Sequence, residues 1–168
     1  ETLKSVNNNE VASILDVGCG SGRYCVEYLK MGKQVVGIDM ASKMLELAQK
    51  ACREAVPDGK INFIFGDYMK HQFNEQFDAA VLMGLFDYIK DPESLIKKLQ
   101  TDVKGIVLGS FPKSGNLLNH IRKLRYFFKN CPLYFYSKTQ LEGIFHSAGI
   151  KEYTISETDR EYYVRLKV

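Results

Sequence analysis

Residues 13–24 read "SILDVGCGSGRY". The short apolar run over 14–17, with Asp16 inside it, leads straight into glycines at positions 18, 20 and 22. Continuous apolar runs of this length suit strands buried on both faces of a parallel sheet. A strand, three alternate glycines and then a helix have the layout of a small-molecule binding turn. The missing Cβ atoms permit a tight turn and let ligand atoms approach the backbone. Amides at the start of the helix then favour an anionic group such as a carboxylate or phosphate. A sharp turn with no ligand is the competing reading, but three alternate glycines exceed what a turn is expected to need.

Spacing narrows the ligand. A dinucleotide site reads Gly-x-Gly-x-x-Gly, with glycine or alanine at position 23, and here that position is Arg23. A Walker A loop is excluded, because no Gly-Lys-Ser/Thr follows. Asp39 closes the second apolar run, 21 residues after Gly18, where an acid accepts hydrogen bonds from a ribose diol. The expectation is a nucleoside cofactor other than a typical dinucleotide, with NAD as the alternative.

Outward from this turn the apolar segments alternate in kind. Residues 14–17, 34–38, 61–65, 77–83 and 105–111 are short runs rich in Val, Ile and Phe, and read as buried strands. Between them lie helical periods. Met44, Leu45, Ala48, Ala51, Cys52 and Ala55 form one stripe. Leu95, Ile96, Leu99 and Val103 form another, entered through Asp91 as N-cap and Pro92 at the first helical position. Ser137-x-x-Gln140 has capping-box spacing before Leu141, Ile144, Phe145 and Ala148, and Gly149 is placed to end that helix. The tail changes character: residues 151–156 and 161–168 are strand-like and joined by a short polar turn, so they must be antiparallel. The predicted fold is a single α/β domain over 1–168, Rossmann-like and doubly wound. Its seven-stranded sheet is mostly parallel, with an antiparallel C-terminal strand.

Composition bounds the function classes. Hydrophobic residues make up 45% and charged residues 26% of the 168, ordinary for a folded domain with a sizeable core. The longest apolar run is far too short to span a bilayer, and no signal-peptide pattern opens the chain. Cys19, Cys25, Cys52 and Cys131 show neither Cys-x-x-Cys nor a Cys/His cluster. They predict reduced thiols in a cytoplasmic protein with no metal site. The net charge is +3, yet residues 112–150 alone carry Lys113, Arg122, Lys123, Arg125, Lys129 and Lys138 against one acid, Glu142. Such a segment attracts an anionic substrate or nucleic acid, or is simply a solvated helix face.

Four motifs in order, "ILDVGCGSGRY", "VVGIDMASKMLELAQK", "INFIFGDYM" and "FDAAVLMGLFDYI", resemble those of the class I S-adenosylmethionine-dependent methyltransferases. The resemblance runs from about Ser13 to Val168 and includes the reversed final strand. By position it implies that Asp16, Gly18, Cys19, Gly20 and Gly22 line the methionyl part of S-adenosyl-L-methionine. Asp39 would hold the ribose hydroxyls, with Met40 against the adenine. Asp67 would accept from the adenine amino group with Tyr68 beside it, although a turn-forming Asp after Gly66 is the plain alternative. Met83 and Gly84 would pass beneath the sulfonium.

Methyl transfer is an in-line displacement, accelerated chiefly by positioning and, for a hydroxyl acceptor, by removal of a proton. The Asn/Asp-Pro-Pro-aromatic tetrapeptide of amino-methylating DNA enzymes is absent, as are the Pro-Cys of RNA cytosine enzymes and the acid pair of protein-arginine enzymes. A small-molecule acceptor methylated on oxygen is therefore expected, with nucleic acid disfavoured. A non-catalytic cofactor-binding or RNA-binding module is a second alternative. Residues 112–136 read as a substrate-side insertion, with Leu117, Ile121, Leu124 and Phe128 marking an amphipathic helix over 116–129. The stretch is similar in style to the region after the fifth strand in magnesium-protoporphyrin O-methyltransferases. Arg122 and Arg125 are candidate substrate contacts there, with solvent as the default for each. His120, Asp87 and Tyr88 are candidate proton acceptors. The mostly polar opening "ETLKSVNNNEVA", without an initiating Met, is expected to follow a missing N-terminal segment.

Overall fold

The computed structural model describes residues 2–115 and 133–168. Strands β1 (Ser13–Val17), β2 (Gln34–Asp39), β3 (Ile61–Phe65), β4 (Phe77–Leu82), β5 (Val103–Pro112), β6 (Glu152–Glu157) and β7 (Glu161–Lys167) form one sheet in the order β3-β2-β1-β4-β5-β7-β6. Strands β1 to β5 pair in parallel, and β7 runs antiparallel to both of its neighbours. The order reverses between β1 and β4, and a crevice opens at such a switch point.

Helices α1 (Thr2–Val6), α2 (Arg23–Lys30) and α3 (Ser42–Ala55) cover one face, burying Val6, Tyr28, Leu29, Leu45 and Cys52 against Ile14, Val35, Val81 and Leu108. Helices α4 (Pro92–Asp102) and α5 (Lys138–Ser147) cover the other. There Ile96, Leu99, Leu141 and Phe145 meet Leu15, Ala80, Val107 and Phe111. The caps are the ones the sequence implied. Asp91 accepts from the Ser94 N–H at 3.0 Å, and Ser137 and Gln140 close a reciprocal box. Gly149, at φ +82°, turns the chain out of α5.

Two expectations are corrected, and one element is new. Val103 does not extend the α4 stripe: at φ −130° and ψ 136° it already belongs to β5, because α4 passes into the strand with no loop between them. Met44 is 44% exposed rather than part of the α3 core stripe, which narrows to Leu45, Ala48 and Cys52. The polar opening holds a helix, α1, whose Val6 is fully buried. The helix expected over 116–129 lies outside the described residues.

Candidate functional site

A cleft of about 170 Å³ opens at the carboxyl ends of β1, β2 and β3. Val17 and Gly18 come from the first strand and its turn, Ile38, Asp39 and Met40 from the second, Asp67, Tyr68 and Met69 from beyond the third. Leu85, Ile89 and Leu95 close it from the β4 to α4 side. Its walls are apolar apart from the two acids, which suits a flat heteroaromatic ring beside a polyhydroxyl group. A larger open depression of about 610 Å³ lies at the opposite, amino-terminal ends of β1 to β3, around Ser13, Gln34 and Lys60. Ligands of open α/β sheets sit outside the carboxyl ends, where the glycine turn is, so the smaller cleft is the candidate.

The glycine turn is held by the protein itself. The Gly18 and Cys19 amides donate to the Ile38 carbonyl at 2.8 and 3.3 Å, and the Gly22 amide donates to the Cys19 carbonyl at 3.0 Å. The Gly20 amide donates to Asp39 Oδ2 at 2.8 Å, while Asp39 Oδ1 accepts from the Ala41 amide at 2.8 Å. These four amides thus have partners within the turn and at the end of β2. The glycine argument changes. All three residues have positive φ (73°, 52° and 76°), so the turn itself requires each of them. Their surroundings differ. A Cβ on Gly22 would meet Ala48 Cβ at 2.8 Å, where α2 packs on α3, and one on Gly18 would meet Leu85 Cδ1 at 3.0 Å. A Cβ on Gly20 meets nothing within 4 Å, and neither does one on Gly84, at φ +73°.

Beneath the turn lies a buried polar cluster. Asp16 is 3% exposed, and the Cys25 thiol donates to its Oδ2 at 3.3 Å. Burial pushes the Asp16 carboxyl up to about 7; the Cys25 contact opposes this and Asp39 adds to it. The neighbouring Cys19 thiol and burial push Cys25 up, and burial raises Cys52 to about 11. Cys19, Cys25 and Cys52 are buried free thiols on the α2 and α3 side. The Tyr28 hydroxyl is buried with no hydrogen-bond partner among the described residues.

The structure brings Gly18, Asp39, Met40, Asp67 and Tyr68 together around one cleft and sets Asp16, Cys19, Gly20 and Gly22 behind or beside it. Met40 is 70% exposed at the rim. Asp67 caps a 3-10 turn over Tyr68–Lys70, accepting from the Met69 amide at 3.0 Å. Met83 is placed elsewhere. Strand alternation sends Leu82 to the α4 face and Met83 to the α1 face, where the Thr2 hydroxyl lies 4.0 Å from its sulfur. The Gly84 amide donates to Ser110 Oγ at 3.0 Å, fixing the end of β4. Asp87 is 3% exposed, and its carbonyl accepts from the Tyr134 amide at 2.8 Å, whereas Tyr88 is 42% exposed. His120, Arg122, Arg125 and Cys131 lie outside the described residues. Sequence reasoning missed Leu85, Ile89 and Met69 as cleft walls, and no motif signal distinguishes them from ordinary apolar positions.

The sequence model of a family described as "Methyltransferase domain" matches residues 14–104. The ubiquinone biosynthesis O-methyltransferase of Albidiferax ferrireducens is 36% identical over 92 residues, covering 54% of this chain and 36% of that protein. The mitochondrial enzyme of the same name from Schizosaccharomyces pombe is 28% identical over 105 residues, 62% of this chain and 38% of that one. The matched stretch is well under half the length of either relative. Among solved structures, magnesium protoporphyrin IX methyltransferase from Synechocystis PCC 6803 with bound SAH superposes with a TM-score of 0.77 at 19% identity, over 99% of this chain and 81% of that one. An O-methyltransferase family protein from Burkholderia thailandensis gives 0.80 at 14% identity, over 99% and 55%. Among the described residues no helix is long and apolar enough to cross a membrane.

Proposed function

The chain belongs to the methyltransferase-domain family, and on that premise we propose that it uses S-adenosyl-L-methionine to methylate an oxygen atom of a small molecule in the cytoplasm. The observation that carries the reading is the cleft at the switch point, bounded by the glycine turn and ending in Asp39. Its residues fit the cofactor. Ile38, Met40, Met69 and Leu85 supply apolar walls for a purine, and Gly20 and Gly84 leave open space where side chains would stand. The two O-methyltransferase relatives supply the acceptor class. The nicotinamide alternative is not favoured, since the family and both relatives are methyltransferases.

When bound, the cofactor supplies an electrophilic methyl group on a sulfonium. The chain's own groups bind and orient. Asp39 spends one lone pair of each oxygen on the Gly20 and Ala41 amides, leaving one on each for a vicinal diol. The Gly20 bond ties the turn to the end of β2 and the Ala41 bond fixes the other oxygen, so the acid is aimed before any ligand arrives. Asp67, with Oδ1 accepting from the Met69 amide and Lys70 Nζ 3.8 Å from Oδ2, keeps acceptor capacity for the base edge. Asp16, buried and poised to lose its proton near neutrality, offers a counter-charge beneath the turn for a ligand ammonium. Asp87 and Tyr88 remain the proton acceptors proposed within the described residues, and Asp87 would need its surroundings to open.

Titration calorimetry with S-adenosylhomocysteine and, in parallel, NAD tests this on wild type and Asp39→Ala. Micromolar binding of the first, loss in the variant and no binding of NAD are expected. Binding of NAD alone would overturn the reading.

A further inference from the structure

The 3-10 turn that carries Asp67 is tied to α4 by a cluster that the proposed reaction does not itself use. The Tyr68 hydroxyl donates to Asp102 Oδ2 at 2.7 Å, and Lys98 Nζ donates to the same oxygen at 2.9 Å. The ammonium also stands 4.7 Å from the Tyr68 ring centroid and 6.0 Å from that of Phe73. Tyr68 is 6% and Asp102 7% exposed and the Lys98 side chain 16%, so the triad is largely shielded from water. A second tie runs beside it: Gln76 Nε2 donates to the Thr101 carbonyl at 3.0 Å. The stretch from Asp67 to Phe77 is thereby moored to the last turn of α4 at two points.

Tyr68 is the link between mooring and cleft. It lines the cleft, while its hydroxyl end is held on the far side. The residues on either side of it, Asp67 and Met69, are those that face a base, and the carbonyl of Asp67 takes the Lys70 and His71 amides at 3.0 and 3.1 Å. A buried ion pair with one shared acceptor holds its partners in a single geometry and is strict about what replaces them. From these contacts we infer that Lys98 and Asp102 are positioning residues: through Tyr68 they set the Asp67–Met69 edge of the cleft and so determine its selectivity for the purine base of the cofactor. The inference rests on the proposed cofactor reading and adds to it the part of the molecule that reads the base.

The test compares two probes, S-adenosylhomocysteine and S-ribosylhomocysteine, which lacks the base. Tyr68→Phe removes only the hydroxyl and keeps the ring, and Lys98→Met keeps the stem packed on that ring. Each variant is expected to bind the adenosyl probe about tenfold more weakly, the size of one lost charge-assisted hydrogen bond, with the ribosyl probe unchanged. In the ligand-free protein, hydrogen exchange at the Met69, Lys70 and His71 amides should quicken in both variants. Equal losses for the two probes, or no change in exchange, would overturn the inference while leaving the cofactor reading in place. Wild-type protein that bound neither probe would remove both.

Discussion

Replacing Asp16 by Asn isolates the energetic consequence of putting a carboxyl under the glycine turn. Burial moves this group from an ordinary value of 3.8 to about 7. Each tenfold change in proton affinity is worth about 1.4 kcal/mol, so the shift amounts to roughly 4 kcal/mol of folding free energy. Its sign follows from a folded value above the unfolded one. Below about pH 4 both states hold the proton and Asp16 costs nothing. As pH rises toward 7 the unfolded chain ionises while the folded one resists, and stability falls; above about pH 7 the loss is complete. Asn cannot ionise, and its carbonyl still accepts from the Cys25 thiol. The variant should therefore track wild type near pH 4 and gain on it steadily, by roughly 4 kcal/mol at pH 8, or about 10 °C in Tm for a chain of this size.

The assay is urea unfolding of both proteins at half-unit steps from pH 4 to 8, read as a difference so that every other titrating group cancels. A difference that stayed flat across that range would refute the argument, because it would mean that Asp16 is hydrated in the folded state. Saturating S-adenosylhomocysteine adds a second reading. The ammonium it would bring beneath the turn should flatten the wild-type curve above pH 6, by stabilising the ionised form.

Two further contrasts test the geometry. Gly22→Ala should destabilise by about 3 kcal/mol, combining positive φ with a Cβ inside the Ala48 contact, whereas Gly20→Ala should cost about 1 kcal/mol of stability from φ alone. Denaturant midpoints measure both, and the Gly20 variant should lose more ligand affinity than stability. At the far end of the sheet, Asp78 accepts from the Ala12 and Ser13 amides at 2.8 Å and pairs with Lys104 at 3.0 Å. Burial would raise its carboxyl, but the Lys104 contact and those amides outweigh it and bring the value down to about 2. This contribution, roughly 2 kcal/mol, is full above about pH 4 and lost as pH falls toward 2, so Asp78→Asn should be weaker than wild type at pH 7 and converge with it in acid.

How much of this was legible from residue order depends on whether a feature is local. The strand runs, the Asp91 and Ser137 caps and the closing antiparallel pair were readable because each follows from a few adjacent side chains. Asp39 was readable as well, since strand length places an acid at a strand end without any knowledge of what packs nearby, whereas Asp67 entered only through the family resemblance. What escaped is contact at a distance. That Gly22 is needed for Ala48, 26 positions on, leaves no trace in the motif. Leu85 looks like any other apolar residue until the chain folds it over Gly18. The inward turn of the Gly18 and Cys19 amides escaped for the same reason, as their acceptor, the Ile38 carbonyl, belongs to the neighbouring strand.

That inward turn bears on how the site works. A loop whose amides pointed at solvent would have to be ordered by its ligand, at the expense of affinity. Here the Gly18 and Cys19 amides are satisfied by β2, and the Gly20 amide by Asp39, before anything binds. The glycines therefore serve shape rather than donation: they let a chain with three left-handed residues lie close across the ends of β1 and β2. In the proposed site recognition would fall instead to the carboxylates. Asp39 and Asp67 are anchored by their own neighbouring amides, and Asp16 lies buried and able to change charge. Conversion of all three acids to amides should abolish binding of S-adenosylhomocysteine, and at position 39 it should also loosen the anchoring, because Asp39→Asn leaves one acceptor oxygen for the Gly20 and Ala41 amides. Asp39 thus joins the two devices: it preorganises the turn through the Gly20 amide and keeps lone pairs for the proposed ligand.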